Sequence, residues 1–456
     1  MKNSRWIVIL AAAAAAALAP ALLAHAGVSQ EEAAKLDGEL TPFGAIRAAN
    51  AEGTIPAWDG GVTKPPAGYV PGMHHPDPFA GDAVLFTITA ANLDAHRDKL
   101  SPGQIAMLER YPDSWRLSVY PTRRSASYPE FVYEAAKGNA VSAQLAANGN
   151  GVTGARVTSP FPIPQQGVEA IWNHLMRYRG ETIRRVTRQA APTAGGSYTL
   201  ITIAEDVLFP YANQQASTET IGNRLAYFLQ TVSAPARLAG NILLVHETLN
   251  QISEPRKAWV YNPGQRRVRR APNVAYDNPG TASDGQRTND QLDMFNGAPD
   301  RYEWSLVGRQ EMYVPYNSYR LHSDGVKYDS ILAAGHVNPE NLRYELHRVW
   351  VVDAKVRAGT SHIYDRRVFY FDEDSWQILA ADQYDSRGEI WRVSEAYCIN
   401  YYDVPMIWDT LQAHYDLQNG RYLVYGLNNE DEIDEFGLAL NVDDFTPSAL
   451  RSLGRR

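Results

Sequence analysis

SHIYDRRVFYFDEDSWQILAADQYDSRGEIWRVSEAYCINYY, residues 361–402, is the stretch on which the fold turns. Apolar and polar residues largely alternate through it, the signature of strands with two different faces. Val368, Phe369, Tyr370 and Phe371 are residue types that suit a pleated surface. Asp385-Ser386-Arg387-Gly388 supplies hairpin-turn chemistry between two such runs. Strands joined by so short a link pair antiparallel, because a parallel partner needs a crossover of about a dozen residues or more.

The same period continues on both sides. ETIRRVTRQ (181–189), SYTLITIAED (197–206), NRLAYFLQTVS (223–233), NILLVHETLN (241–250) and KAWVYNPGQRRVRR (257–270) read as strands with short links. After a loop-rich interval, RYEWSLVGRQEMYV (301–314), LRYELHRVWVVDAKV (342–356) and GRYLVYGL (420–427) resume the pattern, with Gln418-Asn419-Gly420 as a further turn. One antiparallel sheet is expected from about Glu181 to about Leu427, curved around a helical element.

That helical element is GVEAIWNHLMRYR (167–179). Val168, Ile171, Trp172, Leu175 and Met176 fall at i, i+3, i+4, i+7 and i+8, a core-facing stripe. Earlier helices are expected over 29–38 with Ser29 as N-cap, from Thr89 to Leu100, after the capping box Ser101-Pro102-Gly103-Gln104, and from Pro129 to about Leu145. The Gly- and Pro-dense segment between the first two has neither period and reads as an extended arm. The expected organisation is a leader over 1–26, an arm with a short helix over 27–80, a mainly helical segment over 81–180 and a β-rich region over 181–456. Residues 27–456 are expected to form one compact unit.

The leader follows from Lys2 and Arg5, the apolar run Trp6 to Leu23, and Ala24-His25-Ala26, a small-x-small site with cleavage expected before Gly27. Its loss takes two positive charges, so the net charge goes from -8 to -10. Export and an acidic balance argue against general nucleic-acid binding, which needs positive surface. Later apolar runs such as Ile242 to Val245 are too short to cross a bilayer, so a soluble periplasmic protein is expected. The single cysteine, Cys398, leaves no intrachain disulfide, and stability must come from the core.

Against the acidic background, Arg266, Arg267, Arg269 and Arg270 stand out. Asn262-Pro263-Gly264 turns one strand into the next, and alternation sends Arg267 and Arg269 one way, Arg266 and Arg270 the other. Two readings stay open: charges guarding a sheet edge, or contact with an anionic headgroup or acidic partner.

KLDGELTPFGAIRAANAEGTIPAWDGG, YPTRRSASYPEFVYEAAKGNA, PFPIPQQGVEAIWNHLMRYRG, RRAPNVAYDNPGTASDGQRTNDQLDMFNGAPDRYEW, EMYVPYNSYRL and RVFYFDEDSWQILAADQYDSRGEIWRV together resemble the bacterial family DUF1329, from about residue 30 to about 440. The resemblance implies a relative of the periplasmic lipoprotein-sorting protein LolA. The implied fold is α+β: a large curved antiparallel sheet, or incomplete β-barrel, with helices packed at its concave side and an extended N-terminal arm before it. It also implies a concave apolar face that shelters acyl chains, and it brings no residue-level functional motif.

Catalytic and metal chemistry finds little support in the residues. Gly149-Asn150-Gly151-Val152-Thr153-Gly154 lacks the strand before and helix after that a dinucleotide site requires. His74-His75 with Asp77 has no second ligand pair at supporting spacing and reads as a surface loop. Asp372-Glu373-Asp374 falls in a turn, where acidic residues are expected for solvation, without the spacing of a calcium loop. No catalytic residue, metal or cofactor is therefore assigned.

The expected function is a non-enzymatic periplasmic carrier or chaperone for a lipid or acylated protein. Trp172, Leu200, Tyr227, Leu229 and Trp259 are expected to line its apolar concavity. Two alternatives remain: an accessory protein docking on an envelope transporter or outer-membrane protein, and a hydrolase with a sheet-lined cleft.

Overall fold

The computed structural model describes residues 27–454; the expected leader lies outside the described residues. Its main body is a sixteen-stranded sheet. The principal strands, in chain order, are β1 (Thr182–Ala190), β2 (Ile201–Leu208), β3 (Ala226–Ala234), β4 (Ile242–Glu247), β5 (Lys257–Asn262) and β6 (Arg267–Arg270). They continue with β7 (Tyr302–Pro315), β8 (Tyr344–Val356), β9 (Arg366–Asp372), β10 (Ile378–Tyr384), β11 (Ile390–Asn400), β12 (Ile407–Asp416) and β13 (Arg421–Leu427).

Each strand pairs antiparallel with the next within β1–β6 and within β7–β13, as the tight turns dictate. β13 then pairs with β1, joining the two halves. β6 ends one side of the sheet and is not paired with β7, so the sheet is not closed into a barrel. One departure from antiparallel order is the short strand Leu117–Tyr120, which runs parallel to the start of β8.

β12 does not stand out in the sequence as a strand. All ten of its residues are buried, because both faces of the sheet are covered there. Polar residues such as Gln412 and His414 on it enter internal hydrogen bonds instead of facing water.

Two helices explain how both faces are covered. α1 (Pro102–Arg110) starts with the expected capping box of Ser101 and Gln104. Its Met107 and Leu108 join Val393, Tyr397, Leu411 and Tyr415 on the outer face. α2 (Glu130–Ser142) leads towards α3 (Gly167–Met176), every residue of which is buried. α3 packs in the cluster that holds Val207 and Phe209 of one half and Phe371, Cys398 and Trp408 of the other. The sheet therefore wraps α3 from two sides. The segment Thr89–Leu100 forms only two short 3-10 turns, Leu93–Ala95 and Arg97–Lys99, in place of the expected helix.

Candidate functional site

Register sorts the residues of the first half-sheet onto two faces. Directly opposed residues share a face, and the pairings give one row across the inner face: Arg185, Glu205, Gln230, Leu243, Val260 and Arg269. The row beside it is apolar, with Ile183, Val207, Phe228, Val245 and Ala258. Buried Arg185 Nε donates to Glu205 Oε2 at 2.6 Å, and Gln230 donates to Glu205 Oε1 at 2.7 Å.

The sheet is open between β6 and β7, and residues 271–301, which connect those strands, fold inward as a plug. Polar and charged contacts fix it. Asp290 meets Arg367 at 2.5 Å and His362 at 3.0 Å. Asp293 receives Arg177 and Arg179, each at 2.5 Å. Burial alone would raise both carboxyls, but the arginines outweigh it and hold both well below the usual range. His174 of α3 touches the same plug. Burial, reinforced by Arg177, brings it down to about 3, so it is neutral. Its Nε2 lies 2.7 Å from the Asp293 carbonyl, and its Nδ1 lies 3.1 Å from the Trp376 carbonyl and 3.3 Å from the Ile378 amide.

Between plug, α3 and sheet lies a chamber of about 50 Å³, with Leu175, Val207, Phe209, Leu225, Phe228, Leu292 and Trp408 among its apolar walls and Arg179, Arg185, Glu247 and Asp293 at its charged ones. A recess of about 30 Å³ beside it shares Phe228, Glu247, Leu292 and Asn296 and extends to Leu243 and Val245. Each water molecule occupies about 30 Å³ of liquid, so the two spaces together hold little more than a few waters.

The structure distributes the expected ligand-lining residues over different places. Trp172 is on the inner face, fully buried, with its indole N–H on the Gly149 carbonyl at 2.8 Å. Tyr227, Leu229 and Trp259 alternate with the inner rows and face the other way. There they pack with Phe445 and Leu450 of the C-terminal segment, which includes α4 (Pro447–Leu453). Leu200 precedes β2 and packs against the outer cluster. Alternation along each strand is legible in the sequence, but its phase is not: both faces carry large apolar residues, so only the packing partner decides which is inner. The arginine run also divides. Arg266 sits in the turn with φ 52°, Arg270 lies over Trp259 on the outer face, and Arg267 and Arg269 stand on the inner face at the sheet edge.

Two acidic and histidine groups behave differently from their sequence reading. Asp372, Glu373 and Asp374 do form a turn, but they are buried with Arg124 and Arg348, not solvated. Arg124 grips both oxygens of Asp374 at 2.9 and 2.7 Å, and Tyr316 donates to Asp372 at 3.0 Å. His347, Asp372 and Asp374 approach one another at distances compatible with a metal ion, yet Glu345, Tyr316 and Arg124 already engage these groups. Glu373 also accepts the Ile46 amide, fastening the arm to this cluster.

His74 and His75 line a surface cleft of about 720 Å³ between the arm, residues 317–326 and Arg343. His75 itself is buried: Nε2 lies 2.7 Å from Asp403 and Nδ1 lies 3.2 Å from His322. His322 comes from a part of the chain 247 residues away, which no local spacing could reveal. No helix among the described residues is long and apolar enough to cross a membrane.

The model of the family described as protein of unknown function (DUF1329) matches residues 87–451. Uncharacterized protein PA3922 of Pseudomonas aeruginosa is 51% identical over 432 residues, covering 94% of this chain and 95% of that protein. Among solved structures, a DUF1329 family protein from Desulfovibrio piger matches with a TM-score of 0.41 at 15% identity, over 59% of this chain and 92% of that one. A LolA superfamily protein from Nitrosomonas europaea matches with a TM-score of 0.35 at 14% identity, over 60% and 93%.

Proposed function

The chain belongs to the DUF1329 family, and on that premise we propose that it is a non-enzymatic periplasmic carrier that takes a hydrophobic ligand, a lipid or the acyl part of a protein, on the inner face of its sheet. The observation that carries the reading is the plugged opening. An apolar row, Val207–Phe228–Val245, runs from the chamber towards the open edge, and the segment that covers it is held by the ion pairs of Asp290 and Asp293 as well as by the buried side chains of Met294 and Phe295. Burying a ligand methylene there is favourable by about 0.8 kcal/mol. The chamber is too small for a long chain, so uptake requires residues 271–301 to shift outward.

Uptake of a fluorescent fatty probe by the detergent-free protein tests this reading. Saturable uptake that a non-fluorescent fatty acid displaces supports it, and absence of uptake by a folded sample refutes it. A second reading, an accessory protein docking on an envelope partner, draws on the filled inner face and on Val70, Met73, Val84 and Leu85. All four are exposed, Val70 and Met73 on the arm and Val84 and Leu85 just after it, with Met73 at the wall of the cleft; a partner covers apolar residues of this kind.

A further inference from the structure

Arg267 and Arg269, like Arg266 and Arg270 in the same run, differ from the cations near the start of β5. Arg224, Arg256 and Lys257 are all ion-paired with glutamates. Arg267 and Arg269 are exposed, and neither is joined to a carboxylate among the described residues. Guarding an edge against another strand asks only that charges be present; it does not ask that they stand beside exposed apolar side chains on the same face, as Arg269 does beside Val260. Arg269 opposes Val260, Val260 opposes Leu243, and Phe228 follows on the next strand in the neighbouring row. Val260 is 36% exposed and Leu243 and Phe228 are half-buried. Leu243 and Phe228 line the recess, and Phe228 is shared with the chamber. With strands about 4.8 Å apart, the path from β6 to β3 is roughly 14 Å long. It begins on two unpaired guanidinium groups and ends on apolar walls.

We infer that Arg267 and Arg269 bind the anionic headgroup of an amphiphile whose tail runs over Val260, Leu243 and Phe228 towards the chamber. The inference rests on the carrier reading and names its ligand class: a single- or two-chain lipid with a phosphate or carboxylate head. Guanidinium groups suit such heads because they donate paired, charge-assisted hydrogen bonds in a fixed plane. Arg270, stacked on Trp259 across the sheet, takes no part and serves as the control position.

The test compares dodecyl phosphate with monolaurin, both below their aggregation concentrations, by isothermal titration calorimetry on the full mature chain. Wild type is expected to bind the phosphate about tenfold more tightly, the effect of one or two charge-assisted hydrogen bonds. The Arg267→Gln/Arg269→Gln double variant is expected to lose that preference while keeping its affinity for monolaurin, and Arg270→Gln to keep the preference. Raising the salt should shrink the preference in wild type and in Arg270→Gln alike. Val260→Asn, which touches the tail path alone, should weaken both ligands alike. Equal binding of the two ligands by wild type, unaltered in the double variant, overturns the inference and leaves the carrier reading standing. If inorganic phosphate binds as tightly as dodecyl phosphate, the arginines hold a free anion and the tail path is wrong. Binding of neither amphiphile by folded protein overturns both.

Discussion

Arg367 Nη2 lies 2.5 Å from Asp290 Oδ2, and both side chains are buried inside the sheet. One belongs to β9 and the other to the plug, so this contact ties wall and plug by full charges, as Arg421 of β13 and Asp284 do at 2.6 Å nearer the surface. Tyr302 adds a second hold by accepting from Arg367 Nε at 3.0 Å.

Asp290→Asn is expected to destabilise the protein by about 3–5 kcal/mol, because it strands a buried guanidinium without its counter-charge. The same variant should take up an apolar probe faster than wild type, since the plug has lost a tether. Denaturant unfolding and stopped-flow fluorescence read the two effects separately. An unchanged midpoint would mean that the pair is open to water.

Trp172 tests the placement of α3. It is fully buried and its indole N–H is satisfied by Gly149. Trp172→Ala should cost about 3–5 kcal/mol. A loss below about half a kcal/mol, measured by the same unfolding experiment, would contradict the packing of this helix.

These two residues also mark what was legible beforehand. The stripe through Trp172 has one period and one partner surface, so its burial follows from pattern alone. The plug has no period. Its structure comes from Asp290, Asp293 and Arg287 finding Arg367, Arg177 and Tyr425 across long stretches of chain, and nothing local records such pairings. The antiparallel order was readable because tight turns permit little else. The face on which Tyr227, Leu229 and Trp259 lie was not, because the C-terminal segment covers them through scattered residues, Leu440, Phe445 and Leu450, that follow no single period.

Asp382 links α1 to the sheet, accepting from Ser101 at 3.1 Å and Tyr370 at 3.0 Å. Burial pushes its carboxyl up to about 6, against the lowering effect of these donors. A raised folded value means that the folded state holds the proton more tightly. Its stabilising contribution is complete below about pH 3.9 and is lost as the pH rises through about 6. Asp382→Asn should therefore gain on wild type by on the order of 2–3 kcal/mol between pH 4 and pH 7. Paired melting curves across that range check it, and a constant difference would show that the carboxyl ionises normally.

The chain in the periplasm should begin at Gly27. Intact-mass measurement of protein from a periplasmic extract checks this, and an unprocessed N-terminus in the membrane fraction would contradict it. The distinction matters for the carrier account, because a protein kept at one membrane cannot ferry a ligand between two.

Native mass spectrometry of the protein, purified from the periplasm without detergent, tests the central claim most directly. The account predicts a population heavier than the mature chain by one lipid-sized mass, which organic extraction identifies as an amphiphile and a fluorescent fatty probe displaces. A single ligand-free species that also refuses the probe would contradict it.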